Sequence, residues 1–354
     1  MNKRVLWWGR FDPNYSRNRI LRAQFEALGW EVLDFHPHVS QLADIEAAMR
    51  KMPLPDLVWV PCFRQRDLAA ASRWAKACHV PLVFDPLISA YDKRVDEWGK
   101  LKAGSVRARR LLVWERGLFR RADHVVADTP AHAAYFSEVL GVDEHHLSVI
   151  YVGAEEGMFM PAATLPRQPR QPVEALFYGS FIPLQGPEII IEAAKCYQGL
   201  PVRWTLIGDG PLRKACEEKA RGLKNVSFED WVPYENLSTR IHQANILLGV
   251  FGVTPKAGRV IPNKVYQSLA CGRPVITRRA NAYPEALKQA ENSGLLWVDA
   301  GNPQALADSV AQLLSDLPNL DRLGLAAAET NHRFFSQDLI RNQLEAVIKS
   351  VPAR

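Results

Sequence analysis

The fold is decided by residues 174–211, EALFYGSFIPLQGPEIIIEAAKCYQGLPVRWTLIGDGP. In this stretch an apolar run from Glu174 to Phe177 leads through a glycine-bearing turn into the helical pattern Glu188 to Lys195. A second apolar run, Arg203 to Gly208, ends in another glycine-rich turn. Strands that alternate with helices in this way form a parallel, doubly wound sheet. The stretch therefore predicts an α/β domain of the Rossmann-like kind.

The same alternation extends through the chain on both sides of a proline-rich break. Further strands are predicted at Val5 to Trp8, Glu31 to Phe35, Asp56 to Pro61, Pro81 to Phe84, His124 to Ala127, Val226 to Phe228, Ile246 to Val250, Pro274 to Thr277 and Leu295 to Val298. The break, PAATLPRQPRQP at 161–172, has the composition of a linker. We therefore predict an N-terminal domain at 1–160, a C-terminal domain at 173–335, and a last segment, 336–354, that packs back on the first domain. Since ligands of such sheets bind beyond the carboxyl ends of the strands, a central cleft that the two domains face is the expected site.

Composition places the chain among soluble globular proteins. It has 354 residues, of which 47% are hydrophobic and 23% charged, which suits two ordinary domains. Its apolar runs are too short for a spanning helix or a signal peptide, so we expect a cytoplasmic protein. The five cysteines are scattered and the histidines form no metal signature. We therefore expect reduced thiols and no requirement for a metal or another cofactor.

Positive charge is concentrated in one segment, from Lys93 to Arg121. It holds ten basic residues against three acidic ones, which accounts for the whole net charge of +6. The segment includes LLVWERGLF, residues 111–119, in which apolar and basic positions are mixed. Two interpretations stay open: a solvated face with some core contacts, or a basic amphipathic helix on an anionic membrane surface. Nucleic acid is not expected as a partner.

Two loops of the second half have features that suit a phosphate group. FYGSFIPLQG, residues 177–186, and LIGDGP, residues 206–211, each follow a predicted strand and enter a helix. Glycine lets the backbone approach a ligand closely, and a helix amino terminus offers free N–H groups to an anion. For each loop alone, a tight strand-to-helix turn is the favoured interpretation.

A third element, residues 256–277, is KAGRVIPNKVYQSLACGRPVIT. A loop that carries Lys256 and Arg259 leads through Pro262 into a helix, and Lys264 lies in the first turn of that helix. Three cations beside a helix amino terminus suit a diphosphate, because charge and backbone N–H groups act together. The alternative is a solvated basic loop.

Taken in order, these motifs resemble family 4 of the retaining glycosyltransferases, which have the GT-B fold of two Rossmann-like domains. In the second half the resemblance is carried by GSFIPLQG, GDGP, NVSFEDWVPYENLSTRIHQANILL and IPNKVYQSLACGRPVIT. In the first half it is carried by WWGRFDPNYSRNRILRAQFEALGWEV, RRADHVVADTPAHAAYF and HLSVIYVGAEEGMFMP. The resemblance implies transfer of a sugar from a nucleotide-sugar donor to a saccharide or lipid-linked acceptor. It further implies retention at the sugar carbon and a place in cell-surface polysaccharide or glycolipid synthesis.

The resemblance also implies which residues contact the donor. Gly9 would lie in the loop that faces the donor phosphates and the acceptor. The donor-binding positions of the second domain would be Gly179, Ser180, Gln185, Gly186, Gly208, Asp209, Gly210, Pro262, Asn263 and Gln267.

This sequence departs from the family at four positions. Many members have Arg and Lys where Ser180 and Gln185 stand here, and two glutamates where Arg259 and Gln267 stand. We hypothesise that Lys256, Arg259 and Lys264 supply the missing cations and neutralise the leaving diphosphate. Gln267 would still exchange hydrogen bonds with the ribose, although more weakly than a carboxylate.

Acceptor recognition is predicted in the first domain, where the acidic candidates are Asp12, Asp85 and Asp92. Asp85 directly follows a buried strand, at the end of the sheet where catalytic groups collect, and would orient or deprotonate the acceptor hydroxyl. A turn cap before Pro86 is the alternative. Arg17, Asn18 and Arg19 follow the first strand and would hold acceptor phosphate or saccharide, with a solvated turn as the alternative.

Two rival functions stay open on the sequence alone. A non-catalytic sugar-nucleotide-binding partner would explain the absence of the glutamate pair. A sugar-nucleotide epimerase on the same fold would act on the donor without any acceptor. Hydrolysis of a nucleotide sugar separates an enzyme from the first rival, and product formation without acceptor identifies the second.

Overall fold

The computed structural model describes residues 3–162 and 172–351 and separates the chain into two compact units. The first unit comprises Met1–Gly153 together with Gln337–Arg354, and the second comprises Ala154–Ser336. Most of the predicted linker, 161–172, lies outside the described residues.

The second unit begins earlier in the chain than the predicted domain boundary at residue 160. The segment that follows Gly153 packs on the second unit because two of its side chains meet the same tyrosine. Glu155 accepts a hydrogen bond from the Tyr234 hydroxyl, and the Phe159 ring lies edge-on to the Tyr234 ring at 5.8 Å. These contacts assign the segment to the second unit, although its sequence carries no strong pattern.

The first unit is built on a parallel sheet of six strands. Its strands are β1 (Arg4–Trp8), β2 (Glu31–Phe35), β3 (Leu57–Val60), β4 (Leu82–Phe84), β5 (His124–Ala127) and β6 (Leu147–Val149). Its helices up to Gly153 are α1 (Ser16–Ala27), α2 (Ala43–Met49), α3 (Leu68–Ala77), α4 (Val106–Phe119) and α5 (Pro130–Glu138). The strands lie in the order β2-β1-β3-β4-β5-β6, and every neighbouring pair is parallel.

Both faces of this sheet are covered, which explains why β1 is apolar throughout. Val5 and Trp7 pack into one core with α1, whereas Leu6 and Trp8 pack into another with α3. Successive side chains of a strand point to opposite faces, so a strand buried on both sides has no polar position. Each of these four side chains has no exposed surface.

The second unit repeats the architecture. Its strands are β7 (Val173–Tyr178), β8 (Val202–Ile207), β9 (Val226–Glu229), β10 (Ile246–Leu248), β11 (Val275–Arg278) and β12 (Leu295–Val298). Its helices are α6 (Pro187–Cys196), α7 (Arg213–Lys219), α8 (Leu237–Gln243), α9 (Asn263–Ala270), α10 (Glu285–Lys288), α11 (Pro303–Ser315) and α12 (Leu317–Phe335). The strands lie in the order β12-β11-β10-β7-β8-β9, all parallel. Its core is formed around Phe177 and Trp204, against which α6 and α11 pack.

The chain ends with helix α13 (Gln337–Ser350), which belongs to the first unit. Its apolar face, with Ile340 and Leu344, is buried in the core that also contains α1. The amide of Gln24 on α1 donates to the side-chain carbonyl of Gln337 at 2.6 Å, which fixes where α13 begins. Among the residues that the structure describes, no helix is long and apolar enough to cross a membrane.

The predicted α/β class is confirmed, and each predicted strand is present to within two residues at either end. Strand β6 was not predicted from an apolar run, although it lies in HLSVIYVGAEEGMFMP, one of the stretches that resemble the strands closing the family's first domain. Its three residues are all half-buried, so Leu147–Val149 shows no continuous apolar run.

Candidate functional site

The strand order of the second sheet reverses between β7 and β10. In doubly wound sheets ligands bind outside the carboxyl ends of the strands at such a reversal. Gly179 directly follows β7 and Gly249 directly follows β10. The glycine loop predicted at 177–186 therefore lies where the architecture expects a ligand.

Two glycines allow the loops after β7 and β8 to come into contact. Gly179 has φ +149° and Gly208 has φ +121°, values that side chains disfavour. A Cβ on Gly208 would lie 2.2 Å from the carbonyl oxygen of Gly179. A Cβ on Gly179 would lie 3.0 Å from Nζ of Lys264. The backbones of the two loops therefore approach each other closely at Gly179 and Gly208, so the glycines do more than allow short turns.

Lys264 connects the start of α9 with the loops after β7 and β10. Its side chain is 5% exposed, and its Nζ donates to Oε1 of Gln185 at 2.7 Å and lies 3.5 Å from the Gly249 carbonyl oxygen. The same Nζ stands 3.5 Å from the centre of the Phe177 ring. Burial lowers the pKa of Lys264 well below its usual value. The structure thus brings Gly179, Gln185 and Lys264 together.

Gln267 lies one turn further along α9 and is 3% exposed. Its Oε1 accepts from the Tyr178 hydroxyl at 3.0 Å, and its Nε2 donates to the Tyr234 hydroxyl at 3.3 Å. Tyr234 in turn donates to Glu155. The amide is therefore held in a fixed orientation by hydrogen bonds on both sides. Sequence reasoning missed both tyrosines: Tyr178 lies in the quoted stretch 177–186, where only the neighbouring glycine and polar positions were singled out, and Tyr234 lies outside the glycine loops and the basic element.

The other predicted cations lie just before α9. Lys256 is in a short 3-10 turn, Pro255–Gly258, and is 4% exposed, while Arg259 follows the turn and is half-buried. The described contacts of Lys264 include neither of these side chains.

A further cation that sequence reasoning missed is Arg278 at the end of β11, whose Nη1 donates to the Gly252 carbonyl oxygen at 2.6 Å. Burial lowers the pKa of Arg278.

The remaining donor-side positions lie at turns and helix starts. Gly186 adopts a left-handed conformation at the start of α6, and a Cβ there would lie 2.5 Å from the Gly252 nitrogen. Pro262 precedes α9 and Asn263 is its first residue. Ser180 is exposed beside Gly179.

The loop after β8 is held by its own residues. The Asp209 carboxylate accepts from the backbone N–H of Gly210 at 2.7 Å, and its side chain otherwise faces solvent. A Cβ on Gly210 would lie 2.7 Å from the backbone nitrogen of Phe181. Arg213 donates to the carbonyl oxygen of Gly208 and, at 2.9 Å, to that of Glu229. These bonds explain the close packing of the loop without a ligand.

In the first unit, Gly9 follows β1 with φ +127°, and a Cβ there would lie 3.1 Å from Cδ of Arg64. Asp12 is exposed, and its side chain caps the local turn by accepting from the Asn14 N–H at 2.9 Å. Asn18 is buried and donates to the Asp12 carbonyl oxygen at 2.8 Å. These residues stabilise the turn between β1 and α1.

Arg17 and Asp85 form an ion pair with no exposed surface. Nε of Arg17 donates to both carboxylate oxygens of Asp85 at 2.7 and 2.8 Å, and Nη1 donates to the Ile150 carbonyl oxygen at 2.9 Å. Burial raises the pKa of Asp85, and the Arg17 charge opposes that shift. Neither side chain reaches solvent in this conformation, so the structure places both in the scaffold and not on an acceptor surface. Arg19, also predicted to contact acceptor, is half-buried on α1.

Asp92 belongs to a buried cluster of two carboxylates and one imidazole, which the sequence did not reveal. Its Oδ2 lies 3.6 Å from Nε2 of His132, and Nδ1 of His132 lies 2.5 Å from Oδ1 of Asp128. Burial alone would lower the pKa of His132, but Asp128 and Asp92 outweigh it and raise the pKa to about 9. The spacing of Asp128 and His132 by four residues at the start of α5 was the available signal.

Over residues 3–162 and 172–351, no group of three or more His, Cys, Asp or Glu side chains is placed to hold a metal ion.

Solved structures share this fold along nearly the whole chain. The crystal structure of Anabaena Alr3699/HepE in complex with UDP matches with a TM-score of 0.71 and 16% identity, over 98% of this chain and 100% of that one. Sucrose-phosphate synthase from Thermosynechococcus elongatus matches with a TM-score of 0.74 and 18% identity, over 99% of this chain and 98% of that one. At such low identity the likeness shows the GT-B fold.

Family models match each unit in turn. The model for the glycosyl transferase 4-like domain matches residues 11–153, and the model for glycosyl transferases group 1 matches residues 172–316. The chain belongs to the GT-B glycosyltransferases. In this glycosyltransferase the residues predicted on the donor side, Gly9 apart, lie within the stretch matched by the group 1 model.

Curated relatives of this glycosyltransferase are distant. The D-inositol 3-phosphate glycosyltransferase of Corynebacterium urealyticum is 28% identical over 68% of this chain and 59% of its own length. The protein of the same description from Acidothermus cellulolyticus is 25% identical over 86% of this chain and 70% of its own length. The chain therefore spans little more than half the length of the first of these relatives.

Proposed function

We propose that this glycosyltransferase takes a sugar from a nucleotide-sugar donor and transfers it to a saccharide or lipid-linked acceptor, with retention at the sugar carbon. The observation that carries the proposal is the position of Lys264. The buried amino group of Lys264 lies at the strand-order reversal of the second sheet, beside Gly179 and at the amino terminus of α9. Cationic and N–H groups at such a place are suited to a diphosphate.

The chemistry requires a group that stabilises the departing diphosphate. When the bond between the sugar carbon and the diphosphate oxygen breaks, the electron pair leaves with the oxygen, which gains negative charge. Lys264 and the first N–H groups of α9 would stabilise that charge, with Lys256 and Arg259 adding to the positive potential. With retention, the acceptor hydroxyl attacks on the face that the diphosphate leaves, and its proton passes to the departing diphosphate oxygen. Gln185 keeps the ammonium in place through its 2.7 Å hydrogen bond.

The comparisons suggest which donor and acceptor to try first. Solved neighbours are described as complexes with UDP and with UDP-glucose. Curated relatives are described as D-inositol 3-phosphate glycosyltransferases and as a lipopolysaccharide core biosynthesis glycosyltransferase of Rhizobium meliloti. We therefore propose a uridine diphosphate sugar as donor and an acceptor in cell-surface polysaccharide or glycolipid synthesis.

A panel of nucleotide sugars tests the proposal. A donor that binds only the folded chain raises the melting temperature, by an amount that grows with the ratio of its concentration to its Kd. We expect UDP-glucose or another UDP-sugar to raise it and free glucose to have no effect. The donor that binds is then incubated with candidate acceptors, and glycosylated product is sought by mass spectrometry.

The rivals give different results in the same panel. Binding without hydrolysis or transfer would identify a non-catalytic partner, and an isomerised donor formed without acceptor would identify an epimerase. A chain that binds none of the nucleotide sugars would contradict the proposal altogether.

We also propose that α4 brings the enzyme to an anionic membrane surface. Val106 and Val113 lie two turns apart on α4 and are 65% and 69% exposed, and Arg109 and Arg110 lie between them. Apolar side chains flanked by arginines suit an anionic lipid interface. Pelleting with vesicles should occur with phosphatidylglycerol and decrease with phosphatidylcholine alone, and Val113→Glu should weaken it. Failure to pellet at low salt with anionic vesicles would rule the contact out.

A further inference from the structure

The first sheet also has a strand-order reversal, and a groove of about 450 Å³ lies beside it. The order reverses between β1 and β3. Arg10 follows β1 by two residues, and the run from Phe63 to Asp67 follows β3; both line the groove. The groove is completed by side chains from the turn after β4 and from α4. It therefore occupies the position at which this type of sheet binds ligands.

The groove carries positive charge that the protein does not neutralise. Arg10, Arg64, Arg66 and Arg94 line it together with a single carboxylate, Asp67. Arg64 approaches that carboxylate at 3.9 Å. Within the part of the chain that the structure describes, Arg66 and Arg94 have no carboxylate at salt-bridge distance, and both are exposed. Exposed arginines that converge on one groove without partners suit an anionic ligand, because the planar guanidinium matches phosphate and carboxylate.

Asp67 supplies the second observation. Its side chain is 1% exposed and interacts with the Ser40 hydroxyl, which also lines the groove, while its Oδ1 has no hydrogen-bond partner among the described residues. A buried acceptor without a donor costs free energy, and such groups are normally satisfied. A ligand hydroxyl is a donor of suitable chemistry, whereas deprotonated phosphate and carboxylate oxygens are not. The lining of the groove therefore suits a ligand that carries both an anionic group and a hydroxyl.

Two aromatic side chains complete the groove. Phe63 and Trp114 line it and are 37% and 43% exposed. Phe63 is also held at φ +65°, an unusual conformation for a bulky residue. Exposed aromatic faces offer apolar contact to the C–H face of a sugar ring at small entropic cost.

We propose that this groove binds the acceptor, and that the acceptor is a saccharide or other polyol bearing a phosphate or carboxylate. Arg66 and Arg94 hold the anionic group, Asp67 accepts from a hydroxyl, and Phe63 and Trp114 contact the ring. The inference rests on the proposed transferase function and names the substrate class of its acceptor. It assigns acceptor binding to side chains other than the buried Arg17, Asn18 and Asp92.

Direct binding to the full chain tests the inference without a donor. Titration calorimetry uses glucose 6-phosphate, glucuronate, inorganic phosphate and neutral glucose as probes. We expect glucose 6-phosphate or glucuronate to bind and glucose to show no detectable binding. The affinity for the anionic sugar should fall as the salt concentration is raised. Which of the two anionic sugars binds more tightly distinguishes a phosphorylated from a uronic acceptor.

Variants locate the site and separate its two parts. Arg66→Gln with Arg94→Gln should weaken binding of the anionic sugar by about tenfold or more. Arg203→Gln with Arg221→Gln removes the same charge at exposed positions of the second unit and should leave the affinity unchanged. Asp67→Asn should weaken the anionic sugar more than inorganic phosphate, because only the sugar has a hydroxyl separate from its anionic group.

Three results would overturn the inference: neither anionic sugar binds, the groove variant binds as the wild type does, or inorganic phosphate binds as tightly as the sugar phosphate. The melting temperature of each variant reports its folding. The shift produced by UDP-glucose is recorded on the same samples. A chain that responds to UDP-glucose but not to anionic sugars would refute only the acceptor inference, and the reverse result would refute only the donor proposal.

Discussion

Lys264 offers the sharpest test of the donor site, because its burial ties diphosphate binding to the uptake of a proton. Desolvation favours the neutral amine, so the pKa of Lys264 lies well below its usual value in the ligand-free enzyme. Its hydrogen bonds go to Gln185 and the Gly249 carbonyl, both of them uncharged. A diphosphate placed beside Nζ would favour the ammonium form. We therefore expect UDP-glucose to bind together with a proton.

The expected magnitude follows from linkage. Between the pKa of Lys264 in the free enzyme and its higher pKa in the complex, binding takes up nearly one proton. The association constant then falls about tenfold, or about 1.4 kcal/mol, for each unit by which the pH is raised. Substituting Lys264→Met should abolish this slope. Loss of one group that stabilises a developing anion should also lower kcat by roughly 10² to 10³.

Calorimetry in two buffers of different ionisation enthalpy measures the proton uptake directly. UDP-glucose is preferable to UDP, because the diphosphate diester does not titrate between pH 7 and 9. Methionine keeps the length of the lysine side chain above the Phe177 ring, so the variant should fold at least as stably. Lys195→Met removes an exposed lysine and should behave as the wild type. Identical heats in both buffers across this pH range, or full activity in the Lys264→Met enzyme, would refute the assigned role.

Two further predictions concern buried charges in the first unit. Asp85→Asn should lower the free energy of unfolding, measured in urea, by about 3–5 kcal/mol, because Arg17 would be left as an uncompensated buried cation. The double variant Arg17→Met with Asp85→Val should regain at least half of that loss. A stable Asp85→Asn variant without transferase activity would instead support a catalytic role for Asp85. Folding raises the pKa of His132 from 6.5 to about 9, which corresponds to a stabilising contribution on the order of 3 kcal/mol. This contribution is complete below pH 6.5 and is lost as the pH rises through about 9. His132→Gln should remove that pH dependence of unfolding, and an unchanged slope between pH 6.5 and 9.5 would contradict the argument.

The sequence alone was sufficient to locate features that depend on the local backbone, such as buried strands, glycine turns and helix starts. Buried strands are visible as apolar runs because both of their faces are covered, as in β1. Gly179 and Gly208 were recognisable because a close backbone approach excludes every side chain, and the structure gives a 2.2 Å contact for a Cβ on Gly208. Lys264 was identified by its place one residue inside α9. In each case a local pattern is sufficient, since the neighbouring atoms follow from strand and helix geometry.

The sequence was uninformative where burial depends on distant partners. Arg17 looked like a solvated or ligand-binding arginine of a loop, yet it lies in α1 with its charge against Asp85, 68 positions away. His132 looked like an ordinary helix residue, because Asp92 reaches it from a separate turn. The groove arginines were equally hidden, since Arg10, Arg66 and Arg94 converge only when β1 and β3 become neighbours. Such groupings arise from the strand order, which no local pattern records.

The relation between Gln185 and Lys264 shows how the departures from the family can be reconciled with its chemistry. At the position where many members have a lysine, this chain has Gln185, and the Gln185 carbonyl accepts a hydrogen bond from Lys264 at 2.7 Å. On the correspondence that the resemblance implies, the loop after β7 has no cation of its own and instead orients the Lys264 side chain of α9. The charge stays beside Gly179, where the backbone is open to a ligand, while its source moves to the opposite side of the strand-order reversal. Because electrostatic stabilisation depends on where a charge lies and not on which element carries it, the site can keep its function with neither of the usual loop cations.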